Sequence, residues 1–152
     1  MKRIFSAFAI MAALIGMVAV TSAATADKAV IVMPGSIKWI AGTGEDKGTF
    51  YAPLYGDPKK AGAEYAYRLK VPAGMKFAPH VHGRLEQVTV ISGTFLAGLG
   101  SKWDASKMVT LGPGAFAAMP ANVPHYALAK TEVVLELHGI GPESMTMLKG
   151  GM

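Results

Sequence analysis

The sequence predicts an all-β fold, and two observations lead to that prediction. After residue 27, short stretches of apolar residues alternating with polar ones recur along the chain. Glycine- and proline-rich turns separate these stretches at short intervals, as they do in β-sandwiches and small barrels. With 152 residues, 51% of them hydrophobic and 16% charged, the composition is typical of a single globular domain.

The first 26 residues predict a secretory signal peptide. Lys2 and Arg3 precede an apolar stretch from Ile4 to Val20, and small residues up to Ala26 follow it. A retained membrane anchor is the alternative, since the stretch is at the short limit for a span. We favour the signal peptide, because a cleavage-like Ala-Thr-Ala end directly precedes charged residues. The expected organisation is a signal peptide over residues 1–26 and one domain over residues 27–152, in the periplasm or secreted, with no stable membrane anchor after cleavage.

In the first half of the chain, the sequence predicts some strands more clearly than others. The segments KAVIVM (28–33) and SIKWI (36–40) are candidates. AEYAYRLKV (63–71) predicts a strand with one buried face, because Tyr65, Tyr67, Leu69 and Val71 alternate with more polar residues. A turn at Pro72-Ala73-Gly74 ends it. The overlapping segment DPKKAGAEYAYR (57–68) could suggest a helix, but its proline, glycine and tyrosines argue against one.

The second half predicts six further strands. LEQVTVIS (85–92) ends at Ser92-Gly93, and we expect TFLAGLG (94–100) to be its hairpin partner. A polar loop follows. The remaining predicted strands are MVTL (108–111), AFAAM (115–119), HYALA (125–129) and TEVVLELHGI (131–140).

Charge and cysteine content exclude some classes of function. The formal net charge is +5, and removal of Lys2 and Arg3 with the signal peptide would lower it to +3. The basic residues are scattered, so we expect no nucleic acid partner. The chain has no cysteine, which excludes disulfides and thiolate metal ligands. A small-molecule ligand or substrate is the expected partner, and a homodimer is one assembly consistent with the sequence.

The segment FAPHVHGRLEQ (77–87) carries the first candidate metal ligands. His80 and His82 are two residues apart, so on a strand they share a face. Glu86 has the same parity as Val88 and Val90, which places it on the apolar face. A buried carboxylate costs several kcal/mol unless a cation or hydrogen bonds offset that cost. Two imidazoles and a carboxylate that converge in this way would make a site for a divalent metal.

A fourth ligand must come from another strand. His125 is the best candidate, because it follows a turn made rigid by Pro120 and Pro124. His138 is the alternative, but Val133, Leu135 and Leu137 form the more apolar set on its strand. We therefore expect His138 at the rim or on the outer face.

The spacing of these residues resembles the first motif of the cupin superfamily. Gly74 is followed after five residues by His80, then His82, then Glu86 after three residues and Gly93 after six, as in that motif.

The second cupin motif is matched in part. Gly114, Pro120 and His125 stand at the right spacings, but Asn122 replaces a glycine and Ala129 replaces an asparagine. Asparagine tolerates the left-handed backbone of a turn glycine, so the first departure is mild.

The resemblance implies a fold and a metal. The fold is a double-stranded β-helix, a small jelly-roll-like barrel, and the cofactor is one divalent transition metal near its centre. Mn, Fe, Zn, Cu and Ni are not distinguished, and Met145 and Met147 are candidate copper ligands. The implied ligands are His80, His82, Glu86 and His125.

The resemblance also suggests a function. We expect a metal-dependent enzyme that acts on a small organic molecule, with dioxygenase-like oxidoreductase chemistry as the first hypothesis and a non-catalytic binder of a small ligand or of the metal as the second. Arg84 and Gln87 are expected to face solvent, and no inward-facing acid or base is expected besides the ligands. The residues expected around the open face of the metal are Phe77, Phe95, Phe116, Met119 and Tyr126.

Overall fold

The computed structural model describes residues 28–44 and 47–151, and within them the chain forms two antiparallel sheets. Sheet A has the strand order β1-β2-β3-β10-β5-β8, and sheet B the order β11-β4-β9-β6-β7. The strands are β1 (Ile40–Ala41), β2 (Phe50–Gly56), β3 (Glu64–Val71), β4 (Lys76–His82), β5 (Glu86–Ser92), β6 (Phe95–Leu99), β7 (Val109–Leu111), β8 (Phe116–Met119), β9 (His125–Ala129), β10 (Val133–Ile140) and β11 (Met145–Met147). The all-β prediction is confirmed.

The core lies between the two sheets and follows the predicted alternation. Tyr65, Tyr67 and Val71 on β3 are buried, as is the apolar set of β10. Sheet B contributes Phe95 and the alanines of β9 to the same core. Because successive residues of a strand face opposite sides, alternate residues of the strands pack into this core.

The predicted hairpin of β5 with β6 is wrong. β5 pairs with β10 and β8 in sheet A, whereas β6 pairs with β9 and β7 in sheet B. The chain changes sheets at Gly93, whose positive φ of 84° turns the backbone beside Glu132. The two strands therefore contribute to opposite sheets, whose inner faces pack against each other.

The other departures concern the first part of the described chain and its last strand. Residues 28–33 form no strand, and the SIKWI segment contributes only Ile40 to β1. β2 and β11 were not predicted at all. The predicted signal peptide lies outside the described residues. No helix within 28–44 or 47–151 is long and apolar enough to cross a bilayer.

Candidate metal centre

Three histidines of sheet B meet inside the sandwich. His80 and His82 lie on β4, and His125 begins β9, where it pairs with His80. Each is only 5–6% exposed. Their ring centroids are 4.2 to 5.1 Å apart, and one nitrogen of each ring lies within 4.8 Å of the others. The triad could therefore hold a metal ion.

A bulge in β4 places Phe77 on the same interior face of the sheet as the histidines. The register between β4 and β9 shifts by one residue between Phe77 and His80. An extra residue in one strand moves the following side chains to the other face. Phe77, His80 and His82 consequently all line the interior. Pro79 fits in the bulge, where the interrupted ladder needs no N–H donor.

Backbone carbonyls fix the orientation of all three rings. Because a carbonyl oxygen only accepts, each imidazole donates from Nδ1 and, when neutral, keeps its proton there. Each Nε2 then carries a lone pair. The distances from Nδ1 to the accepting carbonyl oxygen are 2.7 Å for His80 to Ala78, 3.0 Å for His82 to Ser144 and 3.0 Å for His125 to Val123.

Glu86 faces the triad from the opposite sheet. It begins β5 and shares its inward face with Val88 and Val90, as the parity predicted. Its Oε2 atom lies 3.4 Å from His82 Nε2 and 3.6 Å from His125 Nε2, and its side chain is 13% exposed. The structure thus brings together all four residues that the sequence singled out.

Burial and the facing charges shift the pKa values of this cluster. Burial, helped by the neighbouring imidazoles, lowers the pKa of His80 to about 4. Burial also acts to lower the pKa of His125, but the Glu86 carboxylate and the Val123 carbonyl outweigh it, and the pKa is raised. For Glu86, burial acts to raise the pKa, and the facing imidazoles outweigh it, so the pKa is lowered. The carboxylate is ionised at neutral pH.

A cavity of about 290 Å³ adjoins the cluster between the two sheets. The three histidines and Glu86 form one polar part of its wall. Most of the remaining wall is apolar, so a small and largely apolar molecule would fit there. The apolar side chains include Leu69, Phe77, Val88, Phe95, Leu111, Met119, Leu135 and Leu137.

No model of a known protein family and no curated protein sequence matches the chain, but solved structures do. An RmlC-like cupin from Ralstonia eutropha JMP134 matches with a TM-score of 0.57 at 14% identity, over 73% of this chain and 68% of that chain. The chain has the cupin fold. The predicted double-stranded β-helix is therefore confirmed.

Two further cupin-like structures extend the likeness. KdgF from Halomonas sp. matches with a TM-score of 0.56 at 20% identity, over 75% of this chain and 96% of its own. A protein assigned as an acetylacetone dioxygenase, from Methylibium petroleiphilum PM1, matches with a TM-score of 0.61 at 21% identity, over 83% of this chain and 85% of its own. Identities of this size show the fold alone.

The two departures from the second cupin motif have structural explanations. Asn122 has a φ of 62°, the left-handed conformation that a glycine would adopt there, and its N–H donates to the His82 carbonyl oxygen at 2.8 Å. Ala129 is fully buried in the apolar core, where an asparagine would need hydrogen-bond partners. His138 lies on the outer face of sheet A, with its ring 6.4 Å from that of Phe116.

Two of the five residues expected around the cavity lie elsewhere. Phe116 is 55% exposed, because Ala117 and Met119 are the inward residues of β8. Tyr126 is fully buried, but on the outer side of β9, where its ring packs on Trp103 and its hydroxyl donates to the Asp104 carbonyl oxygen. Phe77, Phe95 and Met119 do line the cavity of this cupin barrel.

The expectation of no further inward-facing acid is wrong. Glu143, in the loop between β10 and β11, lines the cavity together with Tyr67, Ser144 and Met145. The Tyr67 hydroxyl donates to Glu143 Oε1 at 2.5 Å. The segment GPESM lies outside any predicted strand, so the alternation of residues gave no direction for these side chains. Met145 pairs with His82 across β11 and β4.

The cluster fits a divalent metal ion. His82 Nε2 is buried and has no hydrogen-bond partner. Leaving such an atom unpaired costs about 1–3 kcal/mol, and a bound cation would satisfy it. Neutral imidazoles and a carboxylate suit transition metals such as zinc, copper and iron, and the donor set does not distinguish them.

Proposed function

We propose that this protein binds one divalent transition metal through His80, His82, Glu86 and His125 and acts on a small organic molecule by oxygenase-type chemistry. The observation that carries the proposal is the convergence of three Nε2 lone pairs and one carboxylate on the wall of an apolar cavity. Structural metal sites are usually closed by protein, whereas a site that adjoins a cavity can admit a substrate.

Each part of the site would have a separate task. The metal, when bound, would polarise oxygen atoms of a substrate and supply redox chemistry. The Glu86 carboxylate would balance part of the positive charge, and the three backbone carbonyls would hold the imidazoles in their binding tautomer. The apolar wall around Phe77 and Phe95 would exclude water and hold the substrate beside the cluster.

The assigned activity of the Methylibium petroleiphilum neighbour supports oxygenase chemistry on a small carbonyl compound. The size of the cavity agrees with a compound of that class. A non-catalytic binder of a small ligand is the alternative outcome of the tests below.

Metal content tests the ligand assignment. Single replacement of His80, His82, Glu86 or His125 by Ala should lower metal occupancy strongly, because each removes one donor from the cluster. His138→Ala is the control, since that side chain lies on the outer face, and it should leave occupancy unchanged. Occupancy is measured by elemental analysis of purified protein. Full metal content in the double variant His80→Ala, His125→Ala would contradict the assignment.

Oxygen consumption tests for catalysis. Iron-, manganese- and copper-loaded protein is supplied with small carbonyl compounds while oxygen uptake is recorded. Glu86→Gln keeps the side-chain size and removes its charge, so an enzyme should show altered turnover in this variant. If the compounds bind near the cluster but no metal form consumes oxygen, the protein is a binder and the oxygenase proposal is wrong.

We further propose that the protein is exported. The signal-like residues 1–26 support this, and the mature chain would be the domain 27–152 in the periplasm. An intact-mass measurement that finds residues 1–26 still attached in protein from the producing cell would overturn it.

A further inference from the structure

The cavity has a second carboxylate that the proposed metal site does not use. Glu143 Oε1 accepts a hydrogen bond from the Tyr67 hydroxyl, and both side chains line the same cavity as the histidines. Glu86, the other carboxylate of the cavity, already faces His82 and His125. Among the described residues that line this cavity, Glu143 is therefore the acid-base group outside the histidine and Glu86 cluster.

Backbone hydrogen bonds hold Glu143 in place beside the cluster. Its own N–H donates to the Pro58 carbonyl oxygen at 2.7 Å, and Gly141 exchanges hydrogen bonds with the 62–63 turn. The next residue, Ser144, accepts from His82 Nδ1 through its carbonyl and from the Gly83 N–H through its hydroxyl. One short loop thus positions both a ring of the metal cluster and the second carboxylate.

Tyr67 is suited to hold this carboxylate rather than to react itself. Its side chain is 7% exposed, and it packs against Tyr51 and Tyr65. Burial, together with the negative charge of Glu143, raises the pKa of the Tyr67 hydroxyl well above its ordinary value. Tyr67 therefore stays protonated and donates to Glu143.

We propose that Glu143 is the proton acceptor of the site and that Tyr67 is its positioning residue. The substrate class is then a small enolisable carbonyl compound. Its acidic C–H is next to one carbonyl group or between two, and its carbonyl oxygens can reach the metal site formed by the histidines. In the step, the C–H bond breaks, its electron pair stays on the compound as the enolate, and the proton forms a new O–H bond on Glu143. This inference rests on the proposed metal site and specifies its substrate.

Proton counting tests this step without measuring turnover. The probe is acetylacetone, a small compound with an acidic C–H between two carbonyls, and the protein is loaded with redox-inactive zinc. Titration calorimetry in two buffers of different ionisation enthalpy gives the number of protons released on binding. The wild type should release far less than one proton to the buffer, because Glu143 keeps it. Glu143→Gln should release about one proton per acetylacetone and bind it roughly tenfold more weakly.

Two further variants serve as controls. Glu132→Gln removes an exposed carboxylate outside the cavity and should match the wild type. Tyr67→Phe keeps the carboxylate but removes the Tyr67 hydroxyl that donates to it, so it should weaken binding while the proton is still kept. Tyr67→Phe also tests the hydrogen-bonded pair of Glu143 and Tyr67 if Glu143→Gln does not fold.

The possible failures are distinguishable. Equal proton release by the wild type and Glu143→Gln overturns Glu143 as the acceptor, and unchanged affinity in Tyr67→Phe overturns the positioning role. If the zinc-loaded protein does not bind acetylacetone, the substrate class is wrong. If the protein does not bind zinc at all, the proposed function itself is wrong.

Discussion

His80 and His125 face each other across adjacent strands, yet protons bind to them with different strength. The pKa of His80 is lowered to about 4, chiefly by burial, whereas the pKa of His125 is raised above 6.5 because Glu86 and a backbone carbonyl outweigh burial. A histidine must be neutral to bind a metal through Nε2. His125 is therefore the first of the two at which protons would compete with the metal as pH falls.

The metal affinity should depend on pH through His125. Once pH falls below the raised pKa of His125, at least one proton must leave for each metal bound, so the apparent affinity should fall by at least about tenfold per pH unit. His80 should compete with the metal for a proton only near pH 4. A competition titration with a zinc chelator from pH 8 to pH 5 measures this dependence.

Glu86→Gln provides the matching variant for this prediction. Removal of the carboxylate takes away the charge that raises the pKa of His125, so the decline should begin at a lower pH although the metal binds more weakly throughout. An affinity that stays constant down to pH 5 in the wild type would show that His125 does not bind the metal.

At the level of strands, the alternation of apolar and polar residues predicted which face of a strand is buried better than it predicted which strands pair. The inward face of β3, the parity of Glu86 on β5 and the outward direction of His138 all follow from the period of two. β2 was missed because Pro53 interrupts its apolar pattern. Periodicity also carries no information on which sheet a strand joins, so the β5–β6 hairpin was predicted wrongly.

The sequence did not predict which loop residues reach the site. Glu143 and Ser144 reach the cavity because backbone hydrogen bonds fold their loop against β4 and the 58–63 turn. No local pattern specifies such long-range contacts. The four candidate ligands were predictable because regular strands carry Glu86 and His125, and because the β4 bulge leaves His80 and His82 on one face.

Gly93 should be the more sensitive of two similar turn glycines. Gly93 and Gly114 have positive φ values of 84° and 85°, which cost a non-glycine residue about 1–2 kcal/mol. A Cβ at Gly93 would lie 2.1 Å from the Glu132 carbonyl oxygen, whereas a Cβ at Gly114 would meet nothing within 4 Å. Gly93→Ala should therefore lower the free energy of unfolding by clearly more than Gly114→Ala. Urea denaturation of both variants measures the difference, and equal losses would show that the change of sheet at Gly93 tolerates a side chain.

Across the whole molecule, the candidate metal site joins the two sheets. The three histidines belong to β4 and β9 of sheet B, whereas Glu86 begins β5 of sheet A. His80, His82 and Glu86 lie within seven positions of the sequence but on strands of different sheets, and the apolar core holds the sheets together elsewhere. A metal bound by all four residues would thus add a cross-link between the sheets at the cavity.

Hydrogen exchange of the backbone amides can show this cross-link. Zinc at 1,000 times its dissociation constant should stabilise the folded wild type by about 4 kcal/mol. Because the metal would be held from both sheets, exchange should slow in β5 as well as in β4 and β9.

In Glu86→Ala the three histidines remain, so a higher zinc concentration that restores occupancy should slow exchange in β4 and β9 but much less in β5. Mass spectrometry of separate peptides for residues 76–82, 86–92 and 125–129 distinguishes β5 of sheet A from β4 and β9 of sheet B. Chelator-treated protein is the reference. If zinc leaves the exchange of β5 unchanged in the wild type, Glu86 does not bind the metal and the site belongs to sheet B alone.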